Sequence, residues 1–208
     1  MILLVEPVID AVADAIARAG RHGWTYRSCT VDDAVVADDD AILLHTVDIA
    51  TTAEIHRLRS AVAPTIAVAS ASWIATTDWS GEGYVAAVDR NQLAAALPGL
   101  VAEWSHAARL ATIDRLSETF GAVPVAGLLR GLRGAVENVL VTDDPARLAA
   151  EAHRIAGLAG TLGFAALGRH WLRVAEAGDR PSPATRRATA HALATLDRAE
   201  RRAAFTIS

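Results

Sequence analysis

The stretch Asp143-Asp-Pro-Ala-Arg-Leu-Ala-Ala-Glu-Ala-His153-Arg-Ile-Ala-Gly-Leu-Ala-Gly-Thr-Leu162 carries a helix start and, beyond it, two unlike faces. Asp144 is a preferred N-cap, because its carboxylate can accept from the first free backbone N–H groups. Pro145 suits the first helical position, where a missing N–H costs nothing. From there Leu148, Ala152, Ile155, Ala159 and Leu162 recur at spacings of four, three, four and three. At about 100° per residue they share a stripe roughly 80° wide, the core-facing seam of a bundle helix.

His153 lies about 140° round the helix from Leu148, away from that seam. Ala149, Ala156, Gly157 and Gly160 share its face, and all are small. A solvated helix face ordinarily carries Glu, Lys, Gln or Arg, and a glycine inside a helix costs roughly 1 kcal/mol against alanine. An imidazole ringed by small residues is a place where the surface of another molecule can come close. The plainer alternative is an ordinary surface histidine, with glycines that serve packing against a neighbouring helix. Periodicity alone does not separate the two.

Working outward, residues 100–120, 125–140, 165–177 and 183–205 read as further helices, broken at Gly121, at Asp143-Asp144-Pro145 and between Gly178 and Pro183. The first half has another rhythm. Short apolar runs at residues 2–5, 41–44, 65–69 and 84–87 read as buried strands, and residues 24–30 add a fifth. Helix-like stretches at 8–20 and 51–62 lie between them. Strands alternating with helices predict a doubly wound parallel sheet covered on both faces. The Pro98-Gly99 pair marks the change of pattern. The expected architecture is an α/β domain over residues 1–98 and an all-α domain over residues 99–208.

Composition narrows the classes. Of 208 residues 52% are apolar and 21% charged, enough to bury a core, and the formal net charge of −4 gives no reason to expect nucleic acid or an anionic membrane. A single cysteine, Cys29, rules out an internal disulfide framework and suits a reducing compartment. The opening Met1-Ile-Leu-Leu-Val5-Glu6 is too short an apolar run for a signal peptide, and residues 61–77 fall short of a membrane span. A cytoplasmic protein is expected. The histidines lack metal-ligand spacing, so no metal is assigned. Asp38-Asp39-Asp40 reads as a solvated turn. The tryptophans Trp24, Trp73, Trp79, Trp104 and Trp171 lack the basic interleaving of a nucleic-acid platform.

The run Ala152-His153-Arg-Ile-Ala-Gly157-Leu-Ala-Gly160-Thr-Leu-Gly163-Phe164 resembles the phosphoacceptor motif of histidine phosphotransfer domains. That motif has a histidine, a glycine four residues on, small residues, and an apolar residue with glycine before the next helix. The resemblance implies a four-helix bundle, with His153 as the phosphorylated residue and the small residues around it as the docking face for a receiver domain. Family members often carry lysine three residues after the histidine; here that position is Ala156. Arg154 points about 100° away and is a poor substitute.

The order of the first-half strands resembles the receiver domains of response regulators. Receivers place acidic residues after the first strand, a phosphoacceptor aspartate after the third, Thr or Ser after the fourth and lysine after the fifth. The matching positions here read Glu6-Pro7, His45, Ala69-Ser70 and Ala87-Val88. Without a carboxylate at position 45 no acyl phosphate can form there, so a degenerate, pseudo-receiver domain is expected.

Phosphoryl transfer asks mainly for positioning and charge stabilisation. A neutral imidazole, with an ordinary pKa near 6.5, is a usable nucleophile at neutral pH. A carrier needs no cofactor of its own, since Mg²⁺ is expected from the partner receiver. The expectation is a phosphocarrier, not an enzyme, relaying phosphoryl groups through His153 between receiver domains of hybrid kinases or response regulators. The alternative is a phosphorylation-silent adaptor that binds signalling partners through both domains. An unrelated α/β enzyme finds little support, because Pro7, His45, Ala69 and Ala87 at the expected strand ends are a poor catalytic set. The sequence leaves open the oligomeric state, a homo-oligomer included.

Overall fold

The structure, a computed structural model, describes residues 1–19 and 24–206; Gly20, the expected end of the first helix, lies outside the described residues. By internal packing the chain forms two units, residues 1–105 with 182–187, and residues 106–181 with those from 188 onward.

The first unit is built on strands β1 (Ile2–Val5), β2 (Tyr26–Cys29), β3 (Ile42–Thr46), β4 (Thr65–Ala69) and β5 (Ala86–Asp89). All pair in parallel, in the receiver-like order β2-β1-β3-β4-β5. Helices α1 (Asp10–Ala19), α2 (Val31–Val35), α3 (Thr52–Leu58), α4 (Ala71–Thr76) and α5 (Leu93–Trp104) connect or follow them. Every residue of β1, β3 and β4 is buried, which is why those strands read as unbroken apolar runs. On one face Leu3, Val5 and Leu43 pack with Val31 and Ala34 of α2 and Leu58 of α3. α1 and α5 pack together, with Val12, Ile16, Leu93 and Leu97 all buried.

Two local readings differ from the sequence pattern. Pro98 does not end a helix; it lies inside α5, and the break before the next helix falls at Ser105. Burial of Leu93 and Leu97 before the proline and of Trp104 after it outweighs the lost hydrogen bond. The last strand begins two residues later than expected. Gly83, at φ 91°, turns the chain so that the Tyr84 N–H returns to the Trp79 carbonyl, and laddering with β4 starts beyond it. The short helices α2 and α4 carried no legible apolar period.

The second unit is all helical: α6 (His106–Phe120), α7 (Ala122–Leu140), α8 (Pro145–Thr161), α9 (Ala165–Ala177) and α10 (Pro183–Thr206), the last beginning in the segment assigned to the first unit. α8 is capped as its sequence predicts, with Asp144 Oδ1 accepting the Ala146 N–H at 3.1 Å. It ends where Gly163, at φ 81°, reverses the chain and the Phe164 N–H reaches the Ala159 carbonyl. α9 then returns along α8. Contact is closest at Gly168, where an added Cβ would stand 3.2 Å from the Ala156 carbonyl oxygen and 3.6 Å from the Gly160 nitrogen. Trp171, three residues on, is buried and donates its indole N–H to Thr189 Oγ1 at 3.0 Å.

Because the atom facing Gly168 is backbone, a branched side chain there forces the two helices apart. Gly168→Val is expected to lower stability by about 2 kcal/mol, as overpacking does. Urea unfolding checks this; an unchanged midpoint would mean the seam can yield.

Candidate functional site

Leu148, Ala152, Ile155, Ala159 and Leu162 are all buried, so one stripe of α8 is committed to the core. His153, Gly157 and Gly160 are exposed on the other side, with Ala149 and Ala156 half-buried beside them. All five sequence-selected residues therefore fall on one face of one helix. Among the described residues nothing in the chain hydrogen-bonds or ion-pairs with the His153 imidazole, and both ring nitrogens are open to a visiting group. Arg154 leans toward Glu151 at 3.6 Å on its own helix.

A Cβ on Gly157 or Gly160 would meet nothing within 4 Å. Alanine would fit at either position; the close approach of α9 is set by Gly168, which the sequence reading did not single out and whose added Cβ would stand 3.6 Å from the Gly160 nitrogen. Gly157, inside the helix, costs roughly 1 kcal/mol against alanine, while Gly160 lies in the last turn of α8.

The strand-end position of the first unit holds a different histidine environment. His45 pairs across the sheet with Val5 and Ala67 and is fully buried. Its Nδ1 lies 2.6 Å from Tyr84 Oη, and the two rings stack at 6.0 Å. Trp79 meets Tyr84 edge-on at 5.7 Å. His45 Nε2 has no protein partner among the described residues. Burial pushes the imidazole down to about 4 and the Tyr84 hydroxyl above its ordinary value, so both groups are neutral near pH 7. Where a receiver-like sheet would present a reactive carboxylate, this one has a neutral aromatic plug.

Around the plug stand two features that the sequence reading missed. With β5 placed at Ala86–Asp89, the residue after it is Arg90 and not Ala87-Val88. Its guanidinium holds Asp48 at 2.8 Å, and the other oxygen of that carboxylate accepts the Ser70 N–H at 3.0 Å. A carboxylate, a backbone donor and a cation thus tie together the ends of β3, β4 and β5, with the carboxylate three residues later than expected. Aligning the sheet by Asp48 and Arg90 would have found them. The second feature is Arg187. Its guanidinium donates to the Leu58 carbonyl at 2.6 Å, to those of Arg59 and Ala61 at 2.9 Å each, and to that of Gly83. It caps the end of α3 with no carboxylate partner among the described residues, and burial lowers it to about 10.

Among the described residues no helix is long and apolar enough to cross a membrane. No family model, curated protein or solved structure matches the chain.

A neutral His45 ties folding to pH. The unfolded imidazole takes a proton below about 6.5 while the folded one resists until about 4. The stability contributed by its neutral form is therefore full above pH 6.5 and is lost as pH falls toward 4, by an amount on the order of 3 kcal/mol. Denaturant midpoints of wild type and His45→Leu, followed from pH 7 to pH 4, should converge as the pH drops. Parallel curves would show that His45 titrates normally in the folded chain.

Proposed function

We propose that this protein is a phosphocarrier that accepts and donates a phosphoryl group at His153, exchanging it with aspartyl phosphates on the receiver domains of other proteins. The observation that carries the reading is the open imidazole flanked by two helical glycines at which an added Cβ would meet nothing. The resemblance of Ala152–Phe164 to the histidine phosphotransfer motif supplies the chemistry. An imidazole nitrogen attacks phosphorus, the acyl P–O bond breaks and the aspartate carboxylate departs. The reaction then asks the carrier for exposure and close fit, since charge stabilisation and Mg²⁺ come with the receiver.

His45 supports the division of labour. A buried neutral imidazole in a hydrogen bond with Tyr84 cannot form the acyl phosphate that a receiver makes, so the first unit is read as a pseudo-receiver kept for interaction. The same fact favours the second reading, a phosphorylation-silent adaptor working from a cytoplasmic location.

The test mixes the protein with phosphorylated receiver domains and follows acid-labile label. Rapid labelling of wild type, absent in His153→Ala, is expected. Labelling by no receiver, with the fold intact, would leave the adaptor as the better account. Gly157→Gln sharpens the result, since the new side chain enters open space. It should stabilise the helix by up to about 1 kcal/mol yet slow transfer roughly tenfold or more by blocking close approach. A third variant addresses the missing cation. Ala156→Lys should speed labelling if charge at the phosphoryl oxygens limits the wild type, and stopped-flow transfer rates would reveal no change if the partner already provides it.

A further inference from the structure

The aromatic residues around His45 form a row that phosphotransfer at His153 leaves unused. Trp73, on α4, is 41% exposed, whereas Trp79 is 8% and Tyr84 2% exposed and His45 is wholly buried. The Trp73 and Trp79 ring centres lie 6.3 Å apart, those of Trp79 and Tyr84 5.7 Å, and those of Tyr84 and His45 6.0 Å. Four rings in succession therefore run from solvent into the interior of the first unit, each close enough to the next for an electron to pass between them.

Packing alone accounts for neighbouring aromatic rings. Two polar features go beyond it. The Trp79 indole N–H is buried and meets no acceptor among the described residues. At the inner end Tyr84 Oη lies 2.6 Å from His45 Nδ1, while His45 Nε2 has no partner there. If Nδ1 carried the ring proton, both the phenolic hydrogen and the Nε2 lone pair would be left unmet. With the phenol donating to Nδ1, only the Nε2 N–H is left, so that arrangement costs less. The proton acceptor sets the two inner rings apart as sites of oxidation. An indole radical cation that cannot shed its N–H proton remains a strong oxidant. A phenol gives up an electron more readily when its proton leaves at the same time.

We propose that Tyr84 is a redox-active tyrosine, oxidised by way of Trp73 and Trp79 by a one-electron oxidant in solution, with His45 Nδ1 taking its proton. The oxidant removes one electron from Trp73; Trp79 refills Trp73, and Tyr84 refills Trp79. As that last electron leaves, the phenolic O–H bond breaks and an N–H bond forms on Nδ1. The products are the neutral Tyr84 phenoxyl radical, an imidazolium at His45 and the oxidant reduced by one electron. Burial opposes charge on that imidazole, and the Glu54 carboxylate favours it. The row of rings takes no part in phosphotransfer, so either proposal can fail alone.

Flash oxidation tests it. A ruthenium tris-bipyridyl sensitiser with a cobalt ammine quencher generates the oxidant, and transient absorption with electron paramagnetic resonance tells phenoxyl from indole radicals. The sequence has two tyrosines, so the full-length Tyr26→Phe protein is the reference. A phenoxyl radical is expected there, rising more slowly in D₂O, and lost when Tyr84→Phe is added. Trp73→Phe, which changes a partly exposed ring, should slow its rise roughly tenfold or more. Trp79→Phe should do the same, and thermal melts check that both variants fold. Three results overturn the proposal: an indole radical with no phenoxyl signal, a phenoxyl rise as fast without Trp73, or an equal rise in D₂O.

Discussion

The close approach of α9 to α8 at Gly168 organises the helical unit. With no side chain at that position, one helix settles against the backbone of the other at Ala156 and Gly160. A helix packed along one stripe can offer only the remainder of its circumference to the outside. On α8 that remainder is the small-residue face bearing His153. The imidazole stays exposed while the backbone of its own helix, at Ala156 and Gly160, is held by α9. Gly163 adds to this, because its positive φ lets the chain turn straight from α8 into α9.

In the α/β unit the governing constraint is burial of both sheet faces. Such a sheet can hold polar chemistry only where its strands end. At the end of β3 that opportunity is closed, since His45 is sealed under Tyr84 and Trp79. Burial costs an imidazole its charge, and the cost is accepted here in exchange for a hydrogen bond and aromatic packing. The charged groups stand further out, in the Asp48–Arg90 pair and the carboxylates around the cleft at the ends of β1 and β2. The rim of the sheet is therefore polar where its centre is not, which is the condition for non-covalent recognition.

Much of this was legible in the residues, and the exceptions have physical causes. Long elements with a strong period were readable: the α8 seam falls within the core as the spacing of Leu148 to Leu162 predicts, and the apolar runs of β1 and β4 match their strands. Pro98 misled because a local signal competes with burial of Leu93 and Leu97, and burial won. β5 slipped because Tyr84 and Val85 look like strand residues, yet Gly83 turns the chain just before them. At the candidate site the sequence could place His153 and the glycines on one face. It could not tell whether that face met another helix, because periodicity is blind to what lies opposite. Arg187 was unreadable for the same reason: the carbonyls it caps come from residues 58–61 and 83, more than a hundred positions away.

Ala156 gives the proposed chemistry its particular cast. A phosphorylated imidazole carries its charge on exposed oxygens, and a carrier with a lysine one turn on would stabilise that state in isolation. Here the nearest arginine on the same helix is engaged with Glu151, so the phosphorylated form gains little from its own chain. Stabilisation must then arise in the complex, where the receiver contributes cations while the glycine surface brings the two backbones together. Under this reading the balance of the transfer is set by the partner's active site. On that proposal, a phosphoryl group on His153 would be held loosely between encounters, as suits a group that is to be passed on rather than stored.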